Sequence, residues 1–357
     1  MARSTAPTNR GRDVRHLGPR HWTWQARAIL LSAIWGTSFL FMKEGDRSFV
    51  PYEVTSGRVA VGALTLVVVL VASRQPLPRG LRLWGHLAVA GLLMNAVPFT
   101  LIAWGEQRIS SVAAGIWNAT TPLFVVPVAF LLLPAERPTR ARAAGLLVGF
   151  LGVAVVFGAW AGLPGSHLSG DLGCLGASAC YGLGIPYARR FVAKSSASPT
   201  GLAAGQLIAA TVELTLVSPL LAKAPVQVSA VSVFSIVALG AFGTGIAYVL
   251  NYSVIREAGA TNASLVTYVI PIFSTILGIT VLGEILVWNE PVGAAVILVG
   301  VAISQGVLAR GRISWGREQP FVAKSGDAPP GAKGVPLPLA AVTTGELSAI
   351  DDGGSDE

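Results

Sequence analysis

Long apolar runs recur along this chain at 27–43, 52–73, 83–104, 109–133 and 140–159, then at 169–188, 199–221, 230–254, 260–283 and 290–309. Each approaches the ~20 residues a helix needs to cross a ~30 Å hydrocarbon core. Backbone inside lipid must satisfy its own hydrogen bonds, so runs of this length predict helices. The breaks between them are too short for soluble domains. The expected fold is an all-α polytopic membrane protein with ten transmembrane helices. Residues 1–26 read as a basic disordered arm, and 310–357, rich in Pro and Gly, as a disordered tail. Composition agrees: 12% of residues are charged and mean hydropathy is +0.62, against about a quarter charged in soluble proteins.

The net charge of +8 raises the question of nucleic acid, and the placement of the charge answers it. Lys and Arg occupy short breaks and the two tails, with no basic stripe, so nucleic acid is not an expected partner. With a cytoplasmic N-terminus, the outside receives only Lys43, Arg47, Arg108 and Lys223, while Arg27, Arg74, Arg137, Arg189, Arg256 and Arg310 fall inside with the rest. That bias follows the positive-inside rule. Cys174 and Cys180 fall on different faces of one helix. The four histidines are scattered, so no metal site is expected. No small-residue cleavage site precedes the first run, and no GxxxxGK[ST] loop is present for ATP.

Two stretches share one design. Ser110–Glu136 and Gly259–Glu284 each begin with small residues, place polar residues before a proline (Pro122, Pro271) and end on a glutamate. Pro122 and Pro271 lie 149 apart, as do Gly91 and Gly240. Gly145 and Gly152 pair with Gly293 and Gly300 at 148, and Trp35-Gly36 with Tyr181-Gly182 at 146. The repeats are read as 27–159 and 160–309. Each holds five spans, an odd number, so the two five-helix repeats must be inverted, a construction found in many secondary transporters.

With the Trp35–Phe39 opening (Trp-Gly-Thr-Ser-Phe), Arg58 in the second span and the Pro…Glu plus Gly-rich closing spans, the chain resembles the EamA-type transporters of the drug/metabolite transporter superfamily. The likeness covers roughly 27–309; the turn at Pro134-Ala135 and the long tail depart from it. The resemblance implies a ten-helix basket in a bacterial plasma (inner) membrane, both termini cytoplasmic, with a central cavity for a small-molecule substrate. Members typically export amino acids or other small metabolites, and some import them.

The candidate substrate-binding residues follow from polarity inside the runs. Trp117, Asn118 and Thr121 occupy one side of span four, and Thr267 and Tyr268 precede Pro271. Asn95 and Phe99 share a face of span three; Thr244 and Tyr248 are their counterparts in span eight, which continues with Asn251 and Tyr252. Trp35, Ser38 and Tyr181 add aromatic and hydroxyl walls. Uncharged polar groups and rings suit a largely apolar cavity, with interhelical packing the competing role for each. Carbonyls freed by Pro122 and Pro271 are a further expected source of polarity. Arg58 and Glu213 are the charges well inside spans, some ~10–12 Å below the outer surface. Such charges are functional candidates: Arg58 and Glu213 either pair, or Arg58 meets a carboxylate and Glu213 carries a coupling proton. Glu136 and Glu284 read as structural helix-start residues with Pro138 and Pro291 behind them. The glycines of spans five and ten allow close contact between spans, or between subunits of a homodimer.

No catalytic residue, cofactor or metal ligand emerges. The reading is a secondary transporter, exporting a small metabolite by alternating access. Importer is the alternative within the class, and membrane-embedded enzyme the alternative from another class.

Overall fold

The computed structural model describes residues 23–133, 139–158, 167–223, 227–263 and 266–305. Residues 1–22 of the basic arm, Glu136, Pro138, Pro134-Ala135 and the C-terminal tail lie outside them; residues 24–26, expected to be disordered, are helical. Every described element is helical. The first half comprises α1 (Trp24–Gly45), α2 (Pro51–Ala72), α3 (Leu81–Gly91), a π-helical segment Leu92–Ala96, α4 (Val97–Glu106), α5 (Ser111–Asn118), α6 (Thr121–Leu132) and α7 (Arg140–Val156). The second comprises α8 (Leu168–Phe191), α9 (Pro199–Leu221), α10 (Ala230–Gly240), a π-helical segment Ala241–Ile246, α11 (Ala247–Ala263), α12 (Val266–Thr280) and α13 (Asn289–Ser304).

Among the described residues, six helices are long and apolar enough to cross a membrane: Trp24–Gly45, Pro51–Ala72, Leu81–Glu106, Ser111–Leu132, Pro199–Leu221 and Ala230–Ala258. Val266–Thr280 and Asn289–Ser304 are apolar but shorter. Helix α8 carries Asp171, Arg189 and Arg190 among many glycines, which dilutes its apolar content. Outer faces are apolar at helical spacing, with Leu64, Val68 and Val71 exposed on α2 and Ile272, Ile276 and Ile279 on α12. A water-soluble bundle would place charge at those positions.

Local signals start the helices. Thr23, Ser110, Thr139, Ser198 and Ser229 each accept a backbone N–H of the first turn through their side chains, the usual N-cap arrangement. Pro51 and Pro199 occupy first-turn positions, where a missing donor does no harm.

Packing repeats with the halves exchanged. Helix α1 lies on α12 as α8 lies on α6, and α1 lies on α11 as α8 lies on α4. Individual residues follow the same exchange. A side chain at Gly36 would strike Phe273, and one at Gly182 would strike Phe124. Ser32 donates to the Val266 carbonyl at 3.2 Å, and Ser178 to the Trp117 carbonyl at 2.8 Å. The π-helical segments sit at matched positions as well. An approximate two-fold therefore relates the repeats, and it runs between α2 and α9 and between α7 and α13, which pack on each other.

The glycines of the fifth and tenth runs serve that last contact. A Cβ at Gly152 would lie 2.6 Å from the Ile297 nitrogen, and one at Gly293 would lie 2.8 Å from the Val156 nitrogen. The seam is internal to the chain, so these glycines join α7 to α13 and are not free to join subunits.

Candidate functional site

Where α2, α9 and the two π-helical segments meet, polar side chains gather. Arg58 on α2 is 5% exposed. Its Nε donates to the Thr244 hydroxyl at 2.9 Å, and its guanidinium lies 3.7 Å from the centre of the Phe99 ring. Across the two-fold, Gln206 on α9 donates to Asn95 Oδ1 at 2.7 Å, and Asn95 Nδ2 donates to the Tyr248 hydroxyl at 2.7 Å. Asn95 and Thr244 are fully buried. The two arms are one design used twice: Thr244 matches Asn95, Tyr248 matches Phe99, and Gln206 matches Arg58. Backbone contacts repeat the match. A side chain at Gly240 would meet the Arg58 carbonyl at 2.8 Å, and one at Gly91 would meet the Gln206 carbonyl at 2.8 Å.

The chemistry of the two arms differs by one charge. Among the described residues the Arg58 guanidinium meets a hydroxyl and a ring but no carboxylate. A buried ion pays a desolvation penalty of several kcal/mol that only a good counter-charge offsets. The ring contact supplies up to about 2 kcal/mol when desolvated, which leaves most of the penalty standing.

The expected pairing with Glu213 is not made. Glu213, half-buried on α9, lines a different cavity of about 230 Å³ with Tyr52, Thr100 and Val217. That cavity is almost wholly apolar apart from Glu213, which lies about two turns beyond Gln206 on the same face of α9.

The remaining candidates divide. Tyr181 and Tyr252 pack with Tyr248 around the same centre. Trp35, Tyr181 and Tyr268 flank a neighbouring apolar cluster, where the buried Tyr268 hydroxyl finds no partner among the described residues. Trp117 is fully buried and held by packing: its Nε1 donates to Asp171 at 2.7 Å and its ring lies 4.6 Å from that of Phe157. Ser38 donates to Ile34 of its own helix at 3.0 Å and packs on Gly243. Asn118, Asn251 and Thr267 are half-buried.

The two prolines are not equivalent. Pro122 lies in the first turn of α6, because the span breaks at Ala119–Thr120. The Asn118 carbonyl that Pro122 leaves without a donor accepts the Thr121 hydroxyl at 2.8 Å, so it is not bare. Pro271 lies within α12. Glu284 also departs from expectation. It precedes α13 by several residues and caps a helix of the other half, accepting from the backbone N–H groups of Ser111 at 2.8 Å and Val112 at 3.2 Å. Its role is structural, but it serves α5.

Sequence reasoning overlooked Gln206 and a group of buried charges at the far end of the bundle, Lys43, Asp46 and Glu106. An offset of 148 from Arg58 would have reached Gln206. Glu106 ends an apolar run and reads as loop until the fold buries it completely.

Apolar helices in two exchanged halves, closed around a buried polar centre, define a polytopic membrane transporter. The chain belongs to the EamA-like transporter family, whose model matches residues 22–158 and 168–305. It is 26% identical over 275 residues to the WAT1-related protein At3g02690, chloroplastic, of Arabidopsis thaliana, covering 75% of this chain and 66% of that protein. It is 23% identical over 287 residues to the uncharacterized transporter YoaV of Bacillus subtilis (80% and 97% covered). The uncharacterized inner membrane transporter YedA of Escherichia coli K12 is 27% identical over 277 residues (76% and 87% covered). A protein crystal structure matches with a TM-score of 0.58 at 21% identity, covering 81% of this chain and 99% of that one, a likeness of fold alone.

Proposed function

We propose that the protein is a secondary transporter that exports a small metabolite bearing a carboxylate, such as an amino acid or a related compound. The observation that carries this reading is Arg58, buried beside Thr244 and Phe99 without an acidic partner. A substrate carboxylate supplies the missing counter-charge through charge-assisted hydrogen bonds. Tyr248, Tyr252, Tyr181 and Tyr268 offer rings and hydroxyls to the remainder of the solute, and Asn251 and Thr267 lie within the same half of the chain.

In this reading the chain crosses a bacterial inner membrane ten times with both termini cytoplasmic, and the two repeats are inverted. The positive-inside distribution supports that orientation. Alternating access then proceeds by rocking the halves about the Arg58–Gln206 centre. Pairing of copies, as a homodimer, would use faces other than the α7–α13 seam.

Counterflow in proteoliposomes tests the reading. Vesicles preloaded with single amino acids should accumulate the labelled compound, and the matching amides and esters should fail. Arg58→Gln should weaken the uptake by about a hundredfold while the protein remains folded. Chemical conversion of an unmodified solute, or equal uptake by Arg58→Gln, would overturn it in favour of an enzyme or of a site elsewhere.

A further inference from the structure

At the far end of the bundle from Arg27 and Glu257, which pair with each other, lies a second polar centre. The end of α1, the turn 107–110 and the turn 281–285 border a cavity of about 610 Å³. Glu106 lines it, is fully buried, and among the described residues neither of its carboxylate oxygens has a hydrogen-bond partner. Both oxygens of Asp46, just beyond α1, are also buried and unpartnered. Lys43 stands beside them, but its Nζ donates to the backbone carbonyls of Glu106 and, at 2.7 Å, Ile109. The buried Ser111 hydroxyl is next to Glu106 without a hydrogen bond of normal geometry.

The other charged and titratable groups around this centre are accounted for. Glu284 is taken up by α5, and Glu290 at the start of α13 accepts the Val287 backbone N–H at 3.2 Å. Arg47 pairs with Glu44 at 3.0 Å, Arg108 folds back on Trp104, and His167 bonds the Arg108 carbonyl at 2.8 Å. From α8, Asp171 holds Trp117, and the Cys174 thiol is buried. Among the described residues one ammonium thus faces two unpartnered carboxyl groups, and two neighbouring carboxylates whose oxygens are buried repel each other's ionisation. A single small cation balances the set. Among the described residues no group of three or more His, Cys, Asp or Glu is arranged for a metal ion, whereas a proton needs no further ligand. Burial pushes the Asp46 carboxyl up to about 8, against the opposing pull of Lys43.

We propose that Asp46 and Glu106 share one exchangeable proton, making this end of the bundle a proton-binding site separate from the Arg58 centre. The site adjoins the place where Glu284 of one half caps α5 of the other, so its charge acts on the joint that rocking must open. The coupling proton is thereby moved from Glu213 to this pair. That last step rests on the transporter reading; the proton site itself does not.

The test uses full-length protein in nanodiscs and no solute. Infrared titration from about pH 5 to pH 10 follows the carbonyl stretch of protonated carboxyl groups, which ordinary Asp and Glu lose near pH 4. In a Glu213→Gln background, free of that half-buried carboxyl, one band should persist towards neutral pH or above, and it should vanish on adding Asp46→Asn or Glu106→Gln. Lys43→Gln should move its midpoint up by about one unit or more, as removal of a nearby cation requires; this variant decides the matter should Glu106→Gln not fold. A band unaffected by Asp46→Asn and Lys43→Gln, or already lost in the Glu213→Gln background, overturns the proposal. So does a midpoint that falls when sodium replaces choline at constant ionic strength, which would make the site one for Na⁺.

Discussion

Substituting Gly300 by Ala tests whether the α7–α13 seam holds the two repeats together. The added Cβ would stand 2.7 Å from both the Gly145 carbonyl oxygen and the Gly149 Cα, with the Gly149 nitrogen closer still. All of these are backbone atoms, so no side chain can swing aside and the helices must separate along the seam. Overpacking costs about 1–3 kcal/mol, and an unyielding backbone places the cost near the top of that range. Alanine returns about 1 kcal/mol through its better helix propensity. The expected net loss is roughly 2 kcal/mol. Gly85 is the control: it is exposed on α3, and a Cβ added there would meet nothing within 4 Å, so Gly85→Ala should stabilise by about 1 kcal/mol. Cys174 is buried on α8 and reports unfolding when a thiol-reactive dye is added to detergent-solubilised protein lacking Cys180. Gly300→Ala should bring on labelling several degrees below the parent, and Gly85→Ala slightly above it. If Gly300→Ala unfolds at or above the parent temperature, the close approach of the two helices is not what stabilises the bundle.

Three other outcomes follow from the same geometry. Arg58→Gln should weaken transport of a carboxylate solute by about a hundredfold, since truncating a buried charge partner costs about 2–5 kcal/mol. Adding Gln206→Arg should recover at least tenfold of this, because the two-fold offers that arginine Asn95 and the Tyr248 ring; proteoliposome counterflow decides. Glu284→Ala removes two acceptors from the start of α5 and should speed amide exchange at Ser111 and Val112 about tenfold, equivalent to ~1–2 kcal/mol of lost capping. Asp46 gives a pH dependence: its carboxyl is raised by burial to about 8 from an ordinary value of 3.8, so the folded state holds a proton that the unfolded state has released. Its contribution to stability is fully present below the unfolded value and is lost as pH rises towards about 8. Asp46→Asn should flatten that decline in a series of thermal unfolding curves.

The helical fold was legible because lipid permits so few alternatives. Apolar runs, serine and threonine caps and first-turn prolines all pointed the same way. The repeat was legible too, since residue offsets between Gly91 and Gly240 or between Trp35 and Tyr181 survive in the sequence. The polar centre was half legible. Arg58 stood out as a charge in an apolar run, whereas Gln206 did not, because an uncharged amide among small residues resembles helix-packing glue. Glu284 was assigned to the nearer helix, since sequence order cannot reveal a cap given to a helix of the other half. Pro122 and Pro271 looked alike in sequence, yet only the first falls where a span breaks and restarts. The π-helical segments were not legible at all. Their wider hydrogen-bond rings fall at Asn95 and Thr244, inside apolar runs that read as continuous helices.

Those two segments have a mechanical consequence. A π turn accommodates one residue more than an α turn, so each half carries a spare peptide unit beside its polar arm. Relaxing Leu92–Ala96 or Ala241–Ile246 to α geometry would screw one side of the helix past the other by about 100° and ~1.5 Å. Asn95 would then lose register with Gln206, or Thr244 with Arg58. Such rewinding would take the centre apart one arm at a time.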